Sequence, residues 1–306
     1  MKSDSMSALY SEAHAFVLRL RLAWRNILAI LRETFFTFRE ARAPEAAASI
    51  AYYALFSFFP LILLLVVGGS FFLQRAIVQE QLVAWIGEII PGSVDLINQN
   101  IQRVLNLRST FGFIAIISLL WSSSGVFNTI ALNINRAWPD APRRSYVSNR
   151  AMALVMAGGL IGISFIALVM KTLVRVLPEH IPLLGITGWQ TSRLWQLFVI
   201  ISPPVLSFLI LWVLYWWIPN IGVSGRASSI AALITAFIHR LFSFAFSWYL
   251  DSGLERYELV YGSLSTIVAL MFWIYFTSWI TLWGAHLTGA ISRREKQAVQ
   301  LKTPSG

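Results

Sequence analysis

Six stretches of this sequence, each more than 20 residues long, are predominantly apolar, and they constrain the fold more than any other feature. They are residues 50–73, 111–132, 151–174, 194–218, 227–250 and 261–288. Because the hydrocarbon core of a bilayer is about 30 Å thick, roughly 20 apolar residues in a helix can cross it. A backbone in lipid must also satisfy its own hydrogen bonds. The pattern predicts an all-α polytopic membrane protein with six transmembrane helices.

Composition excludes several classes of chemistry. Only 12% of the residues are charged, against about 25% in soluble domains. The absence of cysteine excludes disulfides, zinc–thiolate sites and iron–sulfur clusters. The four histidines are dispersed, and neither a nucleotide-binding glycine loop nor a metalloprotease pair is present. We therefore expect no metal, no cofactor and no enzymatic activity.

The basic residues are distributed unevenly between the two sides of the predicted bundle. The N-terminal segment, the second and fourth loops and the C-terminal tail together hold 16 Lys and Arg, while the alternate loops hold 7. Cytoplasmic loops carry the excess of basic residues in membrane proteins. The net charge of +10 thus reflects topology, predicts both termini in the cytoplasm and gives no reason to expect a nucleic-acid partner.

The pattern divides the chain into three parts. Residues 1–49 form a cytoplasmic N-terminal segment, 50–290 the transmembrane domain, and 291–306 a basic cytoplasmic tail. Residues 14–40 alternate apolar and arginine positions at helical spacing, which predicts an amphipathic helix on the membrane surface with its arginines toward anionic head groups. A helix packed on cytoplasmic loops is the alternative. Residues 74–110 predict short extracytoplasmic helices.

Arg240 is the most costly residue within a predicted span. It lies some thirteen residues into the fifth span, next to His239, and an arginine at the bilayer centre costs about 2.5–3.5 kcal/mol on insertion scales. Such residues usually face a cavity or a partner, so His239 and Arg240 are candidate pathway residues. Glu45 is among the acids that could pair with Arg240. The alternative is a shallow helix whose arginine reaches the interface.

Other polar or special residues in the spans form a second set of candidates. Polar side chains within spans must face protein or water; these are Ser122, Ser123, Ser124, Asn128 and His286. Prolines that should kink or break their helices are Pro60, Pro203 and Pro204. They could bind a substrate or be simple packing kinks.

Small residues four positions apart predict close helix contacts. Such pairs are Gly158 with Gly162 and Gly284 with Thr288. An aromatic group before Pro219, formed by Trp212, Tyr215, Trp216 and Trp217, predicts an anchor at the head groups.

The charged stretch 251–260 follows the fifth span and predicts a short outer turn. Tyr261 then enters the membrane as an interfacial anchor, and Gly262 and Ser263 allow the sixth helix to begin against a neighbour.

Four blocks of the sequence resemble one bacterial family. "AAASIAYYALFSFFPLILLL", "FGFIAIISLLWSSSGVFNTIALNINRAW", "YWWIPN" and "YGSLSTIVALMFWIYFTSWITLWGAHLTGAIS" are similar to the YihY/virulence factor BrkB family of inner-membrane proteins, over residues 24–294. Its most specific positions are Tyr52, Tyr53, Tyr261, Gly262, Ser263 and Gly284. The family pattern usually has an acidic residue shortly after Gly284-Ala285; here His286, Thr288 and Gly289 stand in that region.

The resemblance implies a six-helix protein of the bacterial inner membrane. Members were long labelled ribonuclease BN, an assignment regarded as mistaken, while others are associated with virulence through serum resistance, or with moving envelope lipids. We expect a transporter or a translocase of lipids or envelope precursors, with membrane lipids as partners. A non-transporting scaffold that recruits a partner is the alternative.

Overall fold

The computed structural model describes residues 2–72, 125–142, 144–145, 147–159, 162, 193–261 and 264–300. Within these ranges the chain is entirely helix and connecting turn, with no strand, which confirms the all-α prediction for this part. The helices are α1 (Lys2–Glu40), α2 (Ala43–Phe72), α3 (125–135), α4 (147–159), α5 (Arg193–Trp217), α6 (Gly225–Tyr261) and α7 (Leu264–Gln300).

Successive helices from α2 to α7 alternate in direction. The residues just after α3, the segment before α4, the turn between α5 and α6, and the last third of α7 all meet near the start of α2. Contacts that establish this run from Arg136 to Ala41, from Arg144 to Asn220 and from Ser224 to Glu295. One end of the bundle therefore gathers the four segments that hold the excess of basic residues.

The last helix is the centre of the fold. α7 packs against α1, α2 and α6, and every residue from 284 to 290 is buried. Alanine is the commonest residue that neighbouring helices contribute to this core, as at Ala47 on α2, Ala131 on α3 and Ala232 on α6. Small side chains allow helix backbones to approach closely, which is how helices associate where no hydrophobic gain is available between them.

The described helices expose large apolar side chains on the outside of the bundle, where a soluble protein would expose mainly polar ones. On α6, the side chains of Leu233, Phe237, Phe244 and Trp248 are 63–74% exposed. Contiguous exposed apolar surface of this kind marks contact with another apolar phase. Among the described residues, three stretches are long and apolar enough to cross a membrane: Ile200–Trp217, Gly225–Leu250 and Ile267–Ala298. The count of six spans stays a prediction.

The predicted outer turn at residues 251–260 is wrong, because residues 251–261 continue α6 as helix. Two other helices extend beyond their predicted spans: α2 begins at Ala43, and α7 continues through residues 291–300 of the predicted tail. Hydropathy marks where a chain enters lipid, whereas a helix of Leu, Glu, Arg and Lys continues beyond it because these residues have good helix propensity.

The prolines do not break their helices. α5 runs without interruption through Pro203 and Pro204, and α2 continues past Pro60. Neighbouring groups can satisfy a backbone carbonyl that a proline leaves free, so a helix within a membrane tolerates proline.

Tyr215 is buried rather than a head-group anchor. It is fully inaccessible, and its hydroxyl donates to the Thr281 carbonyl of α7 at 2.8 Å. A methyl group placed at Gly284 would overlap the Tyr215 hydroxyl and Thr235 Oγ1. The close contact predicted at Gly284 is therefore present and joins α5, α6 and α7. A methyl group placed at Gly158 or Gly162 would meet no described atom within 4 Å, so the close contact there stays a prediction.

We expect Gly284→Ala to destabilise the protein by about 1–3 kcal/mol, because overpacking forces Tyr215 or Thr235 to move. The matched control is Gly158→Ala, where the added methyl meets no described atom and the higher helix propensity of alanine stabilises by up to about 1 kcal/mol. Thermal unfolding in detergent, followed by tryptophan fluorescence, measures both. Equal changes in the two variants would contradict the assigned contact.

Candidate functional site: a polar junction and an exposed arginine within a span

Polar side chains concentrate at the end of the bundle where the helix ends meet, and we call this cluster the polar junction. Its members share hydrogen bonds or ion pairs between segments far apart in sequence; they are Glu33, Thr37, Asn133, Asn135, Arg136, Arg144, Asn220, Ser224, His286, Arg293, Arg294 and Glu295.

An ion pair attaches α1 to α7 within this junction. Arg293 donates from Nε to Glu33 Oε1 at 2.6 Å and from Nη1 to the Ala137 carbonyl at 2.8 Å. The Arg294 Nε lies 3.7 Å from the other oxygen of Glu33. Both arginines and Glu33 are about one-third exposed or less. Arg293 thus holds together α1, α7 and the segment that follows α3.

Asn220 joins three further segments. Its backbone N–H donates to Asn135 Oδ1 at 2.8 Å, and its side-chain amide donates to the Pro142 carbonyl at 2.9 Å. Arg144 Nε donates to Asn220 Oδ1 at 3.2 Å. These bonds satisfy polar groups at the turn between α5 and α6, where the helix ends leave backbone groups without intrahelical partners.

Two more contacts complete the junction. Arg136 is held by Asn133 Oδ1 at 2.8 Å and reaches the Ala41 carbonyl at 3.4 Å, between α1 and α2. Ser224 donates to Glu295 at 2.5 Å, and its oxygen also accepts from the Ala227 N–H at the start of α6. Ser224 is therefore the N-cap of α6.

His286 is fully buried between α1 and α7. Its Nδ1 lies 3.1 Å from Thr37 Oγ1, and its ring meets Phe38 edge-on with centroids 5.7 Å apart. The Thr37 hydroxyl also lies 3.0 Å from the Glu33 carbonyl, and a hydroxyl that donates to this carbonyl accepts from a protonated His286 Nδ1. This candidate pathway residue lies in a helix contact.

Arg240 lies on the exposed face of α6. Its guanidinium forms no hydrogen bond or ion pair with another described residue. Its sequence neighbour His239 is half-buried and meets the Trp273 ring of α7 edge-on at 5.9 Å. Glu45 is exposed in the first turn of α2 and makes no ion pair with Arg240. The structure therefore does not pair Arg240 with Glu45, although His239 remains its neighbour on α6.

The remaining candidates lie apart from the junction or outside the described residues. Asn128 is half-buried on α3. Tyr52 and Tyr53 are exposed on α2, and the Tyr53 ring packs so closely on Gly125 that a methyl group there would lie 2.9 Å from Cδ1. Ser122, Ser123, Ser124, Gly262 and Ser263 fall outside the described residues, as do the side chains of Pro60 and Tyr261.

The sequence interpretation missed most of the polar junction. The asparagines of the segments "NINRAW" and "YWWIPN" were not among the predicted site residues, although Asn135 and Asn220 bond to each other across them. A usable signal was present, because asparagines that flank apolar spans require partners. Within the described part of the chain, no three His, Asp or Glu side chains are placed to hold a metal ion.

Comparison with known proteins agrees with this architecture. The family model for Virulence factor BrkB matches residues 34–305. The chain belongs to this family. It is 26% identical to the UPF0761 membrane protein NMB0524 of Neisseria meningitidis over 92% of this chain and 68% of that protein. It is 25% identical to the UPF0761 membrane protein NT05HA_1801 of Aggregatibacter aphrophilus over 92% of this chain and 98% of the relative.

A further relative of this BrkB-family chain carries a different kind of name. The putative ribonuclease-like protein YfkH of Bacillus subtilis is 24% identical over 88% of this chain and 97% of its own length. No solved structure matches. With the apolar surface of its helices, the family membership identifies the chain as an integral membrane protein.

We expect Arg293→Ala to lower the free energy of unfolding by about 1–3 kcal/mol, because Glu33 and the Ala137 carbonyl both lose a partner. The neighbouring Arg294→Ala removes a single longer, partly exposed ion pair, so its effect should remain below about 1 kcal/mol. Denaturant unfolding in detergent micelles compares the two variants. If Arg294→Ala lowered the free energy of unfolding as much as Arg293→Ala, Arg293 would not be the residue that holds α1, α7 and the segment after α3 together.

Proposed function

We propose that this protein is a bacterial inner-membrane translocase of lipids or envelope precursors, with six spans and both termini in the cytoplasm. The observation that carries the proposal is Arg240, an exposed arginine in the middle of an apolar stretch that runs from Gly225 to Leu250. Ionisable residues at such depth are costly and usually belong to substrate or ion pathways.

The position of Arg240 favours a lipid over a small solute. Its helix face also presents Leu233, Phe237 and Phe244, all exposed. A guanidinium on such a face can bind the phosphate of a head group through paired N–H groups. The acyl chains meanwhile stay in the surrounding hydrocarbon. Arg240 would thus lower the cost of moving a phosphate head group past the centre of the bilayer.

The proposed topology is supported by the polar junction. The N-terminal segment, the second and fourth loops and the C-terminal end of α7 meet at one end of the bundle. These are the segments that hold 16 of the 24 Lys and Arg residues. The excess of basic residues in cytoplasmic loops then assigns this end to the cytoplasm.

A nuclease is not part of this proposal. The acids of the polar junction are already engaged, Glu33 with Arg293 and Glu295 with Ser224. Hydrolysis of a phosphodiester commonly uses carboxylates free to bind metal ions or to move protons.

The alternative function is a scaffold that moves no substrate. It is favoured by α1, which exposes both apolar and basic side chains on one side and could recruit a partner protein. In that case the polar junction would fix the helices for binding alone.

The topology predicts the behaviour of reporter fusions. Green fluorescent protein fused after Thr303 should fluoresce, and alkaline phosphatase fused at the same position should be inactive, because the first folds in the cytoplasm and the second needs export. An active phosphatase at that position would overturn the proposed orientation.

Translocation is tested with the purified chain in liposomes that carry a fluorescent anionic phospholipid, using a membrane-impermeant reductant to count outer-leaflet lipid. We expect transfer above that of empty liposomes, and a loss of about tenfold or more in Arg240→Ala, the change that one charge-assisted contact of about 1.5–3 kcal/mol supplies.

The matched control is Arg226→Ala, which removes an exposed arginine from the first turn of the same helix and should retain transfer. Both variants should keep the unfolding temperature of the parent protein. If Arg240→Ala transferred the fluorescent phospholipid at the rate of the parent protein, Arg240 would not be part of the lipid pathway. No transfer by the parent, together with reproducible capture of one partner protein, would favour the scaffold.

A further inference from the structure

α1 presents two different surfaces on its exposed side. With 3.6 residues per turn, Trp24, Ile27, Leu28, Leu31 and Phe35 form one apolar stripe, and all are exposed by 41–63%. We call this the apolar stripe of α1.

A basic stripe runs directly beside it. Arg21, Arg25, Arg32 and Arg39 recur at spacings of four and seven and are all exposed. The Arg32 guanidinium lies over the Phe36 ring, 5.6 Å from its centroid. Each arginine thus borders the apolar stripe. From there its methylene groups can contact acyl chains while its guanidinium reaches the lipid head groups.

The side of α1 that packs against the bundle fixes the orientation of both stripes. Thr34 and Phe38 are buried there, and Glu33 pairs with Arg293 of α7. Phe38 packs edge-on against Trp279 with centroids 4.9 Å apart. Because α1 is held on a helix that belongs to the membrane domain, its exposed stripes keep a defined orientation relative to the bilayer.

From these contacts we infer that α1 binds anionic phospholipid at the cytoplasmic surface of the bilayer, with the apolar stripe among the acyl chains and the basic stripe on lipid phosphates. An apolar stripe bordered by arginines is the pattern of helices that lie in the interface of an anionic leaflet. A second copy of the chain fits poorly, since it would place one basic stripe against another. The inference does not depend on lipid translocation or on Arg240.

The chain contains no cysteine, so a single engineered cysteine can carry a nitroxide label. The probe is full-length Leu28→Cys protein, labelled and placed in nanodiscs of phosphatidylcholine with or without phosphatidylglycerol. We expect the label to be relaxed more by oxygen, which dissolves in hydrocarbon, than by a water-soluble nickel complex, and the difference to grow as phosphatidylglycerol is added.

Charge variants test the role of the basic stripe. Arg25→Gln with Arg32→Gln should raise the phosphatidylglycerol content needed for the half-maximal change, since each basic residue near an anionic surface contributes about fivefold to binding. Arg226→Gln with Lys296→Gln removes the same charge from exposed positions outside α1 and should leave the response unchanged.

Three results would overturn the inference. The label could be equally accessible to the nickel complex in both lipid mixtures, or both double variants could weaken the response alike. Strong dipolar broadening between labels on neighbouring copies would instead assign the apolar stripe to a contact between two chains.

Discussion

The fold depends on the burial of one stretch of α7. Residues 284–290 are enclosed on all sides, and a helix buried all round must be small where its neighbours approach closest. Gly284 meets this condition, because the Tyr215 hydroxyl and Thr235 Oγ1 occupy the space that a side chain would need. A short distance further along, His286 and Arg293 attach α1 to the same helix. The positions of α1, α2, α5 and α6 therefore all follow from α7.

The two ends of this attachment differ in chemistry. Around Gly284 the contacts are made by small groups and by a tyrosine whose hydroxyl bonds to a backbone carbonyl. Around Arg293 they are made by charges and asparagines. This division is expected where a protein passes from hydrocarbon to the head-group layer, since unsatisfied polar groups are costly in lipid and charges are tolerated at its border. The polar junction thus holds the helices in register, whereas Arg240 stands apart, its guanidinium unpaired among the described residues.

Apolar length and spacing were sufficient to predict helices in most of the described ranges and the approximate extent of α5. They did not predict that α6 continues to Tyr261, because a hydropathy pattern ends at the membrane and a helix need not. Gly284 was identified by its spacing to Thr288, whereas a methyl group at Gly158, chosen by the same rule, meets no described atom, because spacing alone cannot tell which face of a helix meets a neighbour. The bond between Asn135 and Asn220 joins residues 85 positions apart, and no local pattern carries that information.

The connection between α1 and α2 is only two residues long, Ala41 and Arg42, with Arg42 in the left-handed region at φ 52°. Arg136 holds the Ala41 carbonyl at this turn. The turn and the ion pair at Glu33 are the two points that fix α1, so the part of the helix before Glu33 can rotate about them as one rigid body. Leu18 lies 15 residues from Glu33, about 22 Å along the helix, so a rotation of roughly 5° about this point would displace it by about 2 Å. A force on the part of α1 before Glu33 would thus reach both α7, through Arg293, and the start of α2.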